Sequence, residues 1–385
     1  MNKTKPIRPP RMFVRWFAML CLPATLACCW SYLSALTGST NSTTIEQTVE
    51  WLRGHHMGSA VSWIENVYYS HNQPPRGGTL AGGLPYPTAG TSAAAVPPAG
   101  SATPTTTPDR IVPLAPQPLP GEGEWKPFGD AVGGSPAMQV AYLRPDDVHG
   151  TVLAGVVRID QSAAAFTLMP GNQEPGHGPW TRGDAIPDKS IPNLIAAFNS
   201  GFRIADSRGA FVEDGRTVGQ LRTGAASLVI NASGALDVVS WPPAGDPGKF
   251  VAVRQNLDLI VDNGQLVSGL DDNTGDRWGQ TVGNKLFVWR SGVGIDAAGR
   301  VLYVASAGLS VRTLAALLQR AGAVRGMELD INHAWVSFNA YQHVDAGHVT
   351  GSKLLPGMAK PGNRYLTSDI RDFLMITART HGSGL

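Results

Sequence analysis

Cysteine is nearly absent from this 385-residue chain: Cys21, Cys28 and Cys29 sit together near the N-terminus, and none follows. The rest of the protein therefore holds no disulfide, no thiolate metal site and no thiol redox chemistry. Charge is also sparse, with 16% Asp, Glu, Lys and Arg and a net charge of +2. No basic stripe or aromatic–basic repeat occurs, which argues against a nucleic-acid partner. There is no Gly-x-Ser-x-Gly elbow, P-loop or dinucleotide fingerprint, and His177, His343 and His348 lack metal-ligand spacing with one another. No metal or other cofactor is expected on those grounds.

Acids are missing from the first fifteen residues, which carry Lys3, Lys5, Arg8, Arg11 and Arg15. Trp16 to Leu36 then lacks charge of either sign, a length close to the ~20 apolar residues that cross a bilayer. The positive flank places the N-terminus in the cytoplasm and the remainder outside. This pattern reads as a cytoplasmic tail (1–15) and a single-pass cell-membrane anchor (16–36) carrying an extracellular C-terminal domain. A cleaved signal peptide is the rival reading. A lipoprotein site at Cys28 is disfavoured, because Thr25 stands where an aliphatic residue is expected. Thr43-x-x-Glu46 resembles a capping box, and Ile45, Val49 and Leu52 follow at helical spacing. With a second amphipathic stretch near Val61–Tyr69, residues 37–70 read as membrane-proximal helices. From His71 onward the chain is dense in Pro, Ala, Gly and Thr, so 71–135 is expected to be a disordered, partly polyproline linker.

Residues 136–385 read as the globular domain. Strand-like runs occur at Gln139–Leu143, Val152–Ile159, Phe166–Met169, Leu194–Phe198, Ala226–Ile230, Leu236–Ser240, Leu257–Val261, Leu286–Trp289 and Val301–Ala305. Turn signals at Asn231–Gly234, Asp262–Gly264 and Asp296–Gly299 separate several of them. One helix is well marked: Ser310 as N-cap, an apolar stripe of Val311, Leu314, Ala315 and Leu318, and Gly322 at its end. The expected fold class is α+β, a large mixed β-sheet core with flanking helices.

Four segments have the residue types of a site. Ala197–Phe202 is an apolar strand breaking into Asn199, Ser200 and Gly201. Trp289–Gly294 sets Arg290 beside two glycines, an arrangement suited to bidentate phosphate contact. In Met327–Asn332 apolar and polar residues alternate, so a strand would put Glu328, Asp330 and Asn332 on one face, followed by His333 and Trp335. That face reads as one wall of a polar cleft. A looser set comprises Arg203, Asp206, Asp214 and Arg222, with Lys285, Asp271, Asp272 and Asp276 elsewhere. Asp271–Asp276 lacks the full calcium-loop pattern and reads as a solvated loop.

The order of these pieces resembles the phosphodiester glycosidase family, that of the enzyme that uncovers mannose 6-phosphate. The matching segments are Asn199-x-Gly201-Phe202, Val212–Val218, Ala226–Asp237, Leu259–Gly264, Arg290–Asp296, Gly308–Leu318 and Glu328-Leu-Asp330, over residues 190 to 340. The basic-flanked anchor and proline-rich spacer also resemble actinobacterial members. Where that family has Leu-Asp-Gly-Gly-Gly-Ser, this chain has Leu329-Asp330-Ile331-Asn332-His333-Ala334. The resemblance implies a glycosidase that cleaves a sugar-1-phosphodiester or related bond in envelope or extracellular glycans. It implies Asp330 as the essential carboxylate, Glu328 or His333 as helper, and Asn199, Gly201, Arg290 and Asn332 as substrate-binding residues. A non-catalytic glycan-binding or envelope-assembly protein with a degenerate site is the alternative.

Overall fold

The computed structural model describes residues 11–37, 43–86, 109–176, 178, 180–279, 287–345 and 347–379. Residues 1–10 of the expected tail, 87–108 of the expected linker, Leu286, Lys285 and His177 lie outside these. The chain divides into two compact units, Met1–Ile64 and Glu65–Leu385.

In the first unit the helix Arg11–Thr37 is followed by Thr44–Leu52, whose N-cap Thr43 forms the capping box read from Thr43-x-x-Glu46. The hydroxyls of Ser31 and Tyr32 hydrogen-bond Trp51 Nε1 (3.1 Å) and Thr48 Oγ1 (2.9 Å). The uncharged run 16–36 thus lies in one helix, but that helix contains Pro23 and spends its last turns on polar contacts with its neighbour. Among the described residues no helix is long and apolar enough to cross a membrane.

The second unit is built from antiparallel sheets with few helices. An eight-stranded sheet runs in the order Lys126–Pro127, Met138–Leu143, Ala154–Ile159, Val301–Leu309, Val288–Asp296, Ala323–Glu328, Leu259–Asp262 and Gln265–Leu266. A five-stranded sheet joins Leu236–Ser240, Ala226–Ile230, Ala252–Gln255, Ala210–Glu213 and Arg216–Gly219. A second one joins His348–Lys353, Phe338–Asp345, Leu194–Asn199, Phe373–Ala378 and Ala164–Met169. Every pairing in these sheets is antiparallel, so the single mixed sheet read from the sequence is replaced by several antiparallel ones. Short hairpin turns explain the difference. Asn263 and Gly264 take the positive φ of a two-residue hairpin that pairs Asp262 with Gln265, and short links of this kind join antiparallel neighbours.

The large sheet is covered on both faces. On one side the helix Val311–Arg320 lays Val311, Leu314, Ala315, Leu317 and Leu318 against Val156, Leu302, Val304 and Ile260. On the other, Val157, Tyr303, Val293 and Met327 join a core with Phe198, Phe338 and Leu374 of one smaller sheet and Leu228 and Val238 of the other. Two-sided cover makes the central strands buried at almost every position, a pattern that periodicity alone cannot reveal. The described part of the expected spacer is also packed. Ile111 and Phe128 are buried, and Tyr86 donates to the carbonyls of Gly121 (2.8 Å) and Glu124 (2.7 Å).

Candidate functional site

The strand Ala323–Glu328 ends four residues short of the alternating run Met327–Asn332, yet its ladder continues as far as Asp330. Leu329 N donates to Ser291 O (2.8 Å), and Ser291 N donates to Asp330 O (2.9 Å). Glu328 and Asp330 are therefore held side by side with the Arg290 strand. Neither faces solvent: Glu328 is 0% exposed and Asp330 3%. The expected open polar wall is instead a buried seam, because both faces of this sheet are covered.

Within the seam Arg290 is sealed. It is 0% exposed, and its Nε donates to Leu309 O (2.8 Å) while its Nη1 donates to Glu328 Oε1. Burial pushes the Glu328 carboxyl above its ordinary range, although Arg290 pulls the other way. Arg290 is thus placed as a core ion pair and presents no open fork to a phosphate.

Asn199 ends the strand Leu194–Asn199, and its amide is committed to the protein. Its Oδ1 accepts from Tyr303 OH (2.9 Å) and Ser337 N (3.0 Å). Its Nδ2 donates to Ser200 O (2.8 Å) and Ser291 Oγ (3.0 Å). Those four bonds use the full capacity of the group. Asn199 is placed as a cross-link between strands. Gly201 is required by close packing, since a Cβ there would lie 2.9 Å from Asn256 Cγ. Asn256 in turn holds the carbonyls of Glu328 and Leu329, both at 2.8 Å.

After Asp330 the chain turns. Asn332 N donates to Asp330 Oδ1 (2.9 Å), Asn332 Oδ1 accepts from Ala334 N (2.9 Å), and Trp335 N donates to Asn332 O (2.9 Å). Asn332 is therefore a turn residue that shares no strand face with Glu328 and Asp330. His333 is exposed, stacks on Trp289 at 5.0 Å, and its Nε2 lies 2.9 Å from Gly357 O.

The residues that do gather around Asp330 come from a segment with no sequence forecast. Arg371 Nη2 lies 3.4 Å from Asp330 Oδ2 and also donates to Gly201 O (3.2 Å). Arg371, Arg364 and Lys360 lie 5.3, 5.5 and 5.2 Å from the buried ring of Trp335. Arg364 pairs with Asp369 (2.6 Å) and Arg254 with Asp372 (2.7 Å). Compared with these two ion pairs, Arg371–Asp330 is loose, beyond the usual span of a charge-assisted hydrogen bond. The spacing Arg364-x-x-x-x-Asp369-x-Arg371-Asp372, a knot of charge in a charge-poor chain, is the signal that would have found it. Among the described residues no group of three or more His, Cys, Asp or Glu is placed to hold a metal ion.

Comparison with known proteins bears on this seam. The model of the phosphodiester glycosidase family matches residues 192–330. The matched segment carries Asn199, Gly201, Arg290, Glu328 and Asp330, the part of the chain on which the sequence resemblance rested. Arg371 and Trp335 lie beyond it. A similar solved structure is the zebrafish N-acetylglucosamine-1-phosphodiester alpha-N-acetylglucosaminidase catalytic domain, auto-inhibited by its pro-peptide. It is 14% identical, with 67% of this chain and 88% of that one covered and a TM-score of 0.42. Another is a hypothetical protein from Synechocystis, 15% identical, with 66% and 64% covered and a TM-score of 0.36. No curated protein matches.

Proposed function

We propose that this protein is a glycoside hydrolase that cleaves a sugar-1-phosphodiester, with Asp330 as its working carboxylate and Arg371 as its phosphate-side cation. The observation that carries the reading is the loose Asp330–Arg371 pair at the end of the family-matched segment. The two groups stand 3.4 Å apart where neighbouring pairs are closed at 2.6 and 2.7 Å. Cleavage breaks the bond between the anomeric carbon and the phosphate oxygen, and water adds at that carbon. Asp330 stabilises the positive charge that develops on the sugar or takes the proton of the attacking water. The departing phosphomonoester needs little protonation; Arg371 neutralises its charge. The basic N-terminal flank and the uncharged run after it support export of the domain toward cell-envelope or extracellular glycans, which fractionation of cells checks.

A non-catalytic glycan-binding role has one observation in its favour, the sealing of Arg290 against Glu328. Sugar release from an N-acetylglucosamine-1-phosphodiester and from purified envelope glycans separates the two. Asp330→Asn should lower the rate by about a hundredfold or more, and Arg371→Ala should also slow it. No release by the wild-type chain from any of these substrates would sink the hydrolase reading.

A further inference from the structure

A cleft of about 750 Å³ opens among residues that the seam does not use. Its lining includes Phe287, Trp289, His333, Leu80, Leu355 and Thr151, and among the described residues contains no Asp, Glu, Lys or Arg. Its volume is that of a small-molecule site.

The cleft is held in shape before any ligand arrives. Residues 72–85 form one wall, clamped where Gln73 Oε1 accepts from Phe287 N (2.8 Å) and Gln73 Nε2 donates to Phe287 O (3.3 Å). Gly77 N donates to Val148 O (2.6 Å), and a Cβ on Gly150 would come within 2.2 Å of Gly78 O. On the opposite wall Val288 and Arg290 turn into the core, so Trp289 between them turns outward. The register of its strand shifts between Val288 and Arg290, a bulge of the kind that re-aims a side chain. The Trp289 ring lies nearly parallel to His333, with an interplanar angle of 17°.

We infer that this cleft binds a neutral sugar ring stacked on the Trp289 wall. An uncharged lining gives phosphate or carboxylate no counter-charge and would make burying either costly. A flat aromatic wall matches the C–H face of a pyranose, and the Thr151 hydroxyl and the Nδ1 edge of His333 offer hydrogen bonds to its hydroxyls. An acyl chain would fill the apolar space and leave those polar groups unused. Sugar binding here stands on the cleft alone; identifying that sugar as the neutral part of the substrate rests on the hydrolase proposal.

The test is calorimetric titration of the full-length protein with neutral trisaccharides of glucose, mannose, N-acetylglucosamine and arabinose, and with lauric acid as the acyl probe. At least one trisaccharide should bind. Trp289→Ala should weaken it about tenfold, and Trp289→Phe should restore most of the affinity. Unfolding midpoints of both Trp289 variants confirm that they are folded. The proposal is overturned if no trisaccharide binds, if Trp289→Ala binds as well as wild type, or if Trp289→Ala loses lauric acid alone. Trp289-dependent binding without any turnover would support the cleft and sink only the hydrolase reading.

Discussion

Removing Glu328 tests whether Arg290 belongs to the core or to a ligand. In Glu328→Ala the Arg290 guanidinium stays 0% exposed, keeps the Leu309 carbonyl and loses its only carboxylate partner among the described residues. Breaking one side of a buried ion pair costs about 3–5 kcal/mol, a large part of a typical ~5–15 kcal/mol stability. At roughly 2 °C per kcal/mol for a domain of this size, the melting temperature should fall by about 6–10 °C. Arg290→Met should behave differently, because the remaining Glu328 can shed its charge. Burial already raises its pKa, and the loss of Arg290 removes the opposing influence. A raised folded-state pKa gives stability that is present at acid pH and lost as pH rises through that value. The penalty of Arg290→Met should therefore shrink as the solution is acidified, whereas that of Glu328→Ala should not. Arg290 Nη2 and Glu328 Oε2 have no hydrogen-bond partner among the described residues, so the pair is incompletely satisfied. An apolar replacement of both, Arg290→Met with Glu328→Leu, should recover most of the loss. Urea unfolding of the three variants at acidic and neutral pH reads all of this. A Glu328→Ala protein as stable as wild type would refute the core assignment.

Three further outcomes follow from single contacts. His343 faces Asp130 through Nδ1 (2.9 Å) and the Ile191 carbonyl through Nε2 (2.9 Å), and these raise its pKa although burial opposes them. Its contribution is full below the ordinary 6.5 and fades as pH rises through the raised value, so His343→Gln should flatten the decline of melting temperature above pH 6.5. Ser310→Ala removes a capping box whose Oγ accepts from Thr313 N (3.1 Å) and should cost about 1 kcal/mol by chemical denaturation. Gly201→Ala would drive a Cβ to 2.9 Å from Asn256 Cγ and disturb the clasp on the carbonyls of Glu328 and Leu329. It should lower turnover more than the neighbouring Ser200→Ala, and equal rates for the two would contradict the clasp's role.

Where local rules decided the structure, the sequence was readable. Ser310 and the stripe Val311, Leu314, Ala315 and Leu318 specify a helix that forms at Val311–Arg320. Strands Ala226–Ile230 and Leu236–Ser240 appear with the bounds read from their apolar runs, joined by a turn in which Asn231 Oδ1 accepts from Ser233 N and Ala235 N. Phe338–Asp345 and His348–Lys353 were missed. They are rich in polar residues and become exposed along the hairpin, so no apolar run marks them. Alternation at Met327–Asp330 was real, but an alternating pattern cannot tell a polar face in solvent from one buried under a second sheet. Long-range cover decided that point, and with it the fate of Arg290.

The departure from the family's glycine-rich turn now has a physical account. Glycines after the aspartate would let the backbone close on a ligand without side-chain support. Here the turn is fixed by side chains instead: Asp330 Oδ1 accepts from Asn332 N, and Asn332 Oδ1 accepts from Ala334 N. The price is that Asp330 spends one carboxylate oxygen on its own turn, leaving Oδ2 toward Arg371. The same turn delivers Trp335 beneath Arg364, Arg371 and Lys360, where its ring face meets all three cations within 5.5 Å. A turn held by its own side chains orients one carboxylate oxygen, and a fixed ring orients the cation opposite it. Such preorganisation is what a charge-stabilising site requires. Replacing Asn332 by Gly should therefore not restore a family-like site; it should loosen Asp330 and lower the rate, and a faster Asn332→Gly enzyme would show that the turn constrains the chemistry instead of serving it.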